Sequence, residues 1–355
     1  NDEFMTLLPL VFLLNGLSVP ALEMDPTDLS DTLQQAQQIG IASPDRCIQI
    51  TEGLLQPQDN PLLPGRNDKN VSLGRVKDRV QLRSSRQQIQ TLIVSGTCYA
   101  SQERYAEALD ALVRAEQIAN RQHFDDLASI SLYRQVTILG LDLDKPIPAH
   151  HAWRRLNILL QNSDQKNAEL PMYVGLLNSA LAIHRQLPDI AREMLSQVRT
   201  LLLTTPNPQL EVWANMLDGD LLHLTKQDEH SLLAYHATLA QAQKTNQVLL
   251  QVQLTTRISQ LFAQEQDLAN AIRYAEQALE LTQQLGNDSW QADAIIHLAR
   301  LKREARETNL ALALLLNASA VYQHTARPQD LARLHLEIGK TYQQLHRLTE
   351  AQTYL

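Results

Sequence analysis

The sequence predicts an all-α fold, an α-solenoid of stacked helical hairpins. A first observation carries most of this: a small residue returns every forty positions, at Ser179, Gly219, Ser259, Ala299 and Gly339. It brings its neighbours with it. Twelve positions after each stand Ala191, Ser231, Ala271, Ala311 and Ala351, and seven further on stand Val198, Thr238, Ala278 and Ala318. A fixed period of this size marks a supersecondary unit that cannot bury its apolar face alone and stacks on copies of itself. The second observation is composition: 11 Gly, 14 Pro and 5% aromatic residues in 355, with Leu, Ala and Gln abundant. The third is the lack of any sustained alternation of Val, Ile, Thr and aromatic residues around an Asn-Gly or Asp-Gly turn, which a hairpin of strands would need.

The small residues have a packing reason. Where two helices of a hairpin cross, a residue without bulk lets the axes approach, and larger apolar side chains on either side fill the remaining space. The clearest unit is Leu331 to Leu355, LARLHLEIGKTYQQLHRLTEAQTYL, in which Ile338-Gly339 leads to Tyr342 and a polar turn at His346-Arg347 precedes Ala351. Ser95 to Tyr99, followed by Ala108, Leu112 and Ala115, repeats the logic, and Leu261-Phe262 with Ala271, Ala278 and Leu279 supplies another copy. This arrangement, a small residue at motif position 8, an aromatic at 11 and small residues at 20 and 27, resembles the tetratricopeptide repeat. The resemblance covers roughly Gln88 to Leu355 and implies a right-handed superhelix. Two departures stand out. The usual repeat is 34 residues long whereas the period here is forty, and the position-11 aromatic is replaced by Ala182, Leu222 and Lys302 in three copies.

In chain order, Met5 to Ala21 is an apolar stretch ending in Val19-Pro20-Ala21, read as a secretory signal cut after Ala21 or, alternatively, as an apolar helix docked on the first repeat. Residues 22–57 are expected to form an N-terminal hairpin, with a short helix from Thr27 to Gly40 and another opened by Ser43-Pro44-Asp45. The proline-rich 58–71 reads as a loop. A long helix is expected from about Ser72 to Ser101, opening a repeat array over 72–355. Asp125 to Leu160 forms its least regular unit, with a long loop at LDLDKPIPAHH and a three-residue slip in phase. From Glu169 the register holds, and Pro171, Pro188, Pro206 and Pro208 mark helix starts or turns. Cys47 and Cys98 either form a bridge tying the hairpin to the first clear repeat or sit as small buried residues in helix interfaces. The last hairpin stops on Ala351 and Leu355 without a polar cap. The expectation is a longer chain, in which a membrane anchor follows, or a partner or homodimer mate over that face.

The formal net charge is -8, which argues against a general nucleic-acid binder. No nucleophile elbow, phosphate-binding glycine loop or cysteine-pair zinc spacing is present. His150-His151 and the six-residue spacing of His230 and His236 do not suit metal ligation on one helix face. No catalytic residue, metal or cofactor is therefore expected. The resemblance implies that positions 2, 5, 9 and 12 of each first helix line a concave groove. Carried over, these are Tyr173, Leu176, Ala180 and Ile183; Trp213, Met216, Asp220 and His223; Gln253, Thr256, Gln260 and Ala263; Asp293, Ile296, Arg300 and Arg303; Arg333, Leu336, Lys340 and Gln343. The groove grades from aromatic to basic. Tyr173 and Trp213 are either anchors for an apolar side chain or aromatics of the repeat core, Asp220, His223 and Gln260 are candidate polar contacts, and Arg300, Arg303, Arg333 and Lys340 form a patch suited to a carboxylate, an acidic peptide or an anionic small molecule. The alternative reading of the patch is a set of solvated charges balanced by Asp293, Glu304 and Glu337. The expected function is a non-catalytic module that binds a protein, peptide or anionic small ligand. Its architecture resembles the extracytoplasmic sensory region of bacterial membrane-anchored signalling proteins of the diguanylate cyclase or histidine kinase type. A free-standing periplasmic scaffold and a cytoplasmic regulator that senses an inducer or peptide are the alternatives.

Overall fold

The computed structural model describes residue 36 and residues 44–55, 73–102, 104–143, 145–162, 169–286, 288–322 and 328–355. The secretory-signal reading of Met5 to Ala21, the helix from Thr27 to Gly40 beyond Ala36, and the loop at 58–71 lie outside them. The described residues fall into two compact units, one within Leu17–Pro171 and one spanning Met172–Leu355. The boundary falls at the end of the segment where the small-residue phase slips.

In the first unit α1 (Pro44–Leu55) packs on α2 (Leu73–Ser101), which pairs with α3 (Tyr105–Gln122); α4 (Asp125–Thr137) and α5 (Pro146–Asn162) follow. Cys47 and Cys98 are disulfide-bonded, with Cα atoms 6.1 Å apart, and the bridge fastens α1 to α2 inside a small core with Ile48 and Val94. Ile89, Leu92 and Ile93 of α2 bury themselves against Ala111 and Ala115 of α3 and Leu127 and Ile130 of α4. The expected long loop after Leu141 is corrected. Backbone from Ile138 to Asp142 forms one π-helical turn, and α5 opens at Pro146, with both histidines already helical. Pro146 and Pro148 sit in the first turn of α5, where the missing N–H groups have no intrahelical partner to lose.

The second unit shows where the forty-residue period comes from. Its hairpins are α6 (Leu170–His184) with α7 (Pro188–Thr204), α8 (Pro208–Leu224) with α9 (Asp228–Lys244), α10 (Val248–Gln264) with α11 (Leu268–Leu285), α12 (Asp288–Glu304) with α13 (Thr308–Tyr322), and α14 (Pro328–Gln344) with α15 (Leu348–Tyr354). From α8 to the start of α10, two helices of 17 residues and two three-residue turns make one period. The length added to the 34-residue repeat thus lies in the helices. Each hairpin turn has one residue in the left-handed region, at Gln186, Lys226, Gln266, Arg306 and His346, again forty apart. The next amide bonds back five residues, as in Leu187 N–H to Ala182 O and Gln227 N–H to Leu222 O. This satisfies the carbonyls that the helix end would otherwise orphan.

Positions 8 and 20 meet as the packing argument requires. Ser231 Oγ donates to Gly219 O at 2.9 Å, and Ser259 Oγ donates to Ala271 O at 2.7 Å. At Gly219 a Cβ would stand 2.5 Å from Tyr235 Cε1. That ring is held by its own hydroxyl, which donates to Asp220 Oδ1 at 2.6 Å, so only glycine fits.

Candidate functional site

The first helices of three consecutive repeats, α10, α12 and α14, enclose a cavity of about 220 Å³, closed on one side by α11. Equivalent motif positions supply its walls because the repeats hold a common register. Position 2 contributes Gln253, Asp293 and Arg333; position 5 contributes Thr256, Ile296 and Leu336; position 9 contributes Gln260 and Arg300. Leu249, Val252 and Trp290 add an apolar floor near the helix starts, and His297 and Glu337, both at position 6, face in between these rows.

The basic patch is organised around Glu337. Arg300 Nη2 donates to Glu337 Oε1 at 2.9 Å, Lys340 Nζ to the same oxygen at 3.1 Å, and Arg303 Nη2 stands 2.9 Å from Oε2. Arg303 Nη1 also donates to the Glu337 carbonyl and to Thr341 Oγ1. Burial pushes the Glu337 carboxyl up, but the hydrogen bonds and charges of Arg300, Lys340 and Arg303 outweigh it and hold it below the usual glutamate range. Arg333 pairs with Asp293 at 2.7 Å. Among the described residues these four cations share two anions, Glu337 and Asp293.

His297 is fixed by Ser259, whose Oγ lies 2.8 Å from Nε2. Since that hydroxyl already donates to Ala271 O, the imidazole carries its proton on Nε2 and donates back. Burial, then the nearby charge of Arg300, lowers His297 to about 4, so it is neutral at ordinary pH.

Of the residues singled out from the sequence, Gln260, Arg300 and Arg333 line the cavity, and Arg303 and Lys340 join it through Glu337. The others do not come to it. Tyr173 and Trp213 are buried at 5% and 3% exposure and do not line this cavity. Asp220 is spent on Arg257, whose Nε and Nη2 donate to its two oxygens at 2.6 and 3.1 Å, and on the Tyr235 hydroxyl. His223 Nδ1 lies 2.6 Å from Asp228 Oδ1 across the turn. Sequence reasoning placed Gln253, Asp293 and Ile296 on the groove without selecting them. It passed over His297 because it carried positions 2, 5, 9 and 12 but not 6, and it treated Glu337 only as a balancing charge. Among the described residues no group of three or more His, Cys, Asp or Glu is placed to hold a metal ion. No helix of theirs is long and apolar enough to cross a membrane.

Residues 253–285, most of α10 and all of α11, match the family model of the tetratricopeptide repeat. The chain is thus an all-α protein of tetratricopeptide-type helical hairpins. No curated protein matches it. Among solved structures it is similar to a signal-transduction ATPase with numerous domains and a tetratricopeptide repeat sensor from Pyrococcus horikoshii, with a TM-score of 0.55 and 11% identity over 93% of this chain and 49% of that one. It thus spans about half the length of that protein. The apo form of the quorum sensor NprR from B. thuringiensis gives a TM-score of 0.55 at 14% identity, covering 92% of this chain and 84% of that one. NprR in complex with its cognate peptide NprX gives 0.53 at 14%, covering 92% and 87%. At these identities the likeness is one of fold.

Proposed function

We propose that this chain is a non-catalytic binding module that takes a peptide or protein segment on the face formed by its first helices, as the sensory part of a signalling protein. The observation that carries the reading is the cavity itself, in which three consecutive repeats present equivalent motif positions to one apolar space with charged edges. Three neighbours by fold support it: one is described as a sensor, one as a quorum sensor and one as bound to its cognate peptide. A solenoid is stiffened only by contacts between neighbouring repeats, so a ligand bridging three first helices changes how readily they move against one another.

The test is selection of peptides from a display library on the full chain, followed by affinity measurement on Leu336→Arg. Leu336 is 44% exposed at the cavity wall, so the longer cation is tolerated by the fold and obstructs the opening. Selected peptides should lose at least tenfold in affinity. Peptides that bind the variant and the parent alike would place recognition elsewhere and overturn this use of the face.

An extracytoplasmic location fits the apolar stretch Met5 to Ala21 and the disulfide between α1 and α2. N-terminal sequencing of the protein from its natural host tests it: a first residue near Leu22 supports export, and retention of Met5 overturns it.

A further inference from the structure

Gln253 is 4% exposed and faces the cavity, yet its Oε1 has no hydrogen-bond partner among the described residues. A buried carbonyl oxygen without a donor is costly, and native proteins keep few of them. Of the polar groups around it, Thr256 donates to Val252 O, Thr282 donates to Leu279 O, and Asp293 holds Arg333.

The opposite edge offers the complementary charge. Arg300 lies seven residues along a first helix from the position-2 row, about 10.5 Å of axial rise. It uses Nη2 on Glu337, and a guanidinium has five N–H donors. Glu337 is also countered by Arg303 and Lys340, so an anion at Arg300 need not break the cluster. Between the two edges the walls are Leu249, Val252, Ile296 and Leu336. At about 220 Å³ the space is smaller than the roughly 300 Å³ lower bound of pockets that hold drug-sized ligands.

We propose that this cavity is a subsite for one apolar α-amino-acyl unit, whose N–H donates to Gln253 Oε1, whose side chain packs on the apolar walls, and whose carboxylate lies against Arg300. The proposal rests on the reading of the first-helix face as a binding face and adds the ligand's chemistry to it. A free amino acid and the last residue of a peptide share that chemistry.

The experiment is calorimetric titration of the full chain with L-phenylalanine, Gly-Gly-Phe, N-acetyl-L-phenylalanine and N-acetyl-N-methyl-L-phenylalanine, repeated on Gln253→Met. At least one of the first three should bind. Free phenylalanine as the tightest points to an amino acid, and Gly-Gly-Phe or the acetyl compound as the tightest points to a peptide end. N-methylation should weaken binding about tenfold in the parent and make no difference in Gln253→Met, because the acceptor it disturbs is gone. The methyl penalty surviving unchanged in Gln253→Met overturns the proposal, as does failure of all four probes. If library peptides still bind in a Leu336→Arg-sensitive way while these probes fail, only the subsite assignment falls. If neither binds, the binding face falls with it.

Discussion

Arg300 Nη2 and Glu337 Oε1 come from helices two repeat elements apart, 37 residues apart in the chain, and stand 2.9 Å from each other. Glu337 is the hub of the basic patch, with 2% of its side chain exposed against 40% for Arg300, 16% for Arg303 and 47% for Lys340. The best-shielded charge is thus the anion, and the cations around it reach outward.

Glu337→Gln removes that anion while keeping its shape. Arg303, the most enclosed of the cations, loses its counter-charge, whereas Arg300 and Lys340 can turn to water. The cost should be about 2 kcal/mol, below the range for breaking a fully buried pair, read from urea unfolding with an unchanged m-value. The same geometry changes what Arg300→Glu with Arg303→Glu should do. That double change removes two cations from the patch and sets two carboxylates against Glu337, so it should lower the melting temperature as well as weaken binding. Arg300→Gln is the cleaner probe of anion binding. No loss of stability in Glu337→Gln would mean that the cluster is held by packing alone.

Acid should loosen this end of the chain. His297 is neutral in the fold down to about pH 4, whereas an unfolded histidine takes a proton near 6.5. Between those values the unfolded state binds more protons, so the stability from His297 is complete above about pH 6.5 and is lost as pH falls toward 4. Glu337, held below its usual range, gives stability present above the ordinary glutamate value and lost as pH falls through its folded one. The two act in the same direction in adjoining windows. Up to about 3 kcal/mol of the His297 contribution should disappear across its window. His297→Gln should flatten the stability profile between pH 6.5 and 4, and an equally steep profile in that variant would assign the effect to other groups.

The repeat architecture was legible because helix length sets it. With 17-residue helices and three-residue turns, every residue that must be small, or that must turn the chain, falls at the same phase, so Gly219, Ser259 and Gly339 announce the fold without any contact being known. The face that lines the cavity was legible for the same reason, since Gln253, Ile296 and Arg300 sit at positions the repeat turns inward. Whether an inward residue meets a hollow was not legible. Tyr173 and Trp213 occupy positions equivalent to Gln253 and all three are buried, yet of the three Gln253 alone lines the cavity, because motif position gives direction and not the space in front of it. The pairing of Asp220 with Arg257 was not readable, since it joins successive first helices across 37 residues where many carboxylates and cations compete. Glu337 was read as a balancing charge for the basic patch, but its place at the centre of Arg300, Arg303 and Lys340 was not.

The turns carry a stability reserve. Lys226 and Gln266 hold φ values of 62° and 65° at the ends of α8 and α10, a conformation that costs an ordinary residue about 1–2 kcal/mol and glycine nothing. Glycine's greater freedom when unfolded returns part of that gain. Lys226→Gly and Gln266→Gly should therefore each stabilise by about 0.5–1 kcal/mol, and together nearly additively because the two turns share no partner. Thermal unfolding checks this, and a drop in melting temperature would show that these side chains stabilise the turns more than their backbone strains them.

The disulfide offers a test that separates the two compact units. Cys47 and Cys98 are buried and 51 residues apart, so closing that loop removes unfolded-state freedom equivalent to about 4 kcal/mol in the chain-entropy description. Without the bridge, α1 keeps Ile48 beside Val94, Leu55 at the edge of the α2–α4 core and the hydrogen bond from Tyr99 to Glu52, modest ties for a 12-residue helix. Cys47→Ala with Cys98→Ala should give fast amide exchange in α1 and in the end of α2 beside it. Exchange in α10 to α14 should stay as in the parent, because repeat stability is a sum over neighbours. Loss of protection in α10 to α14 as well would mean that the two units unfold as one.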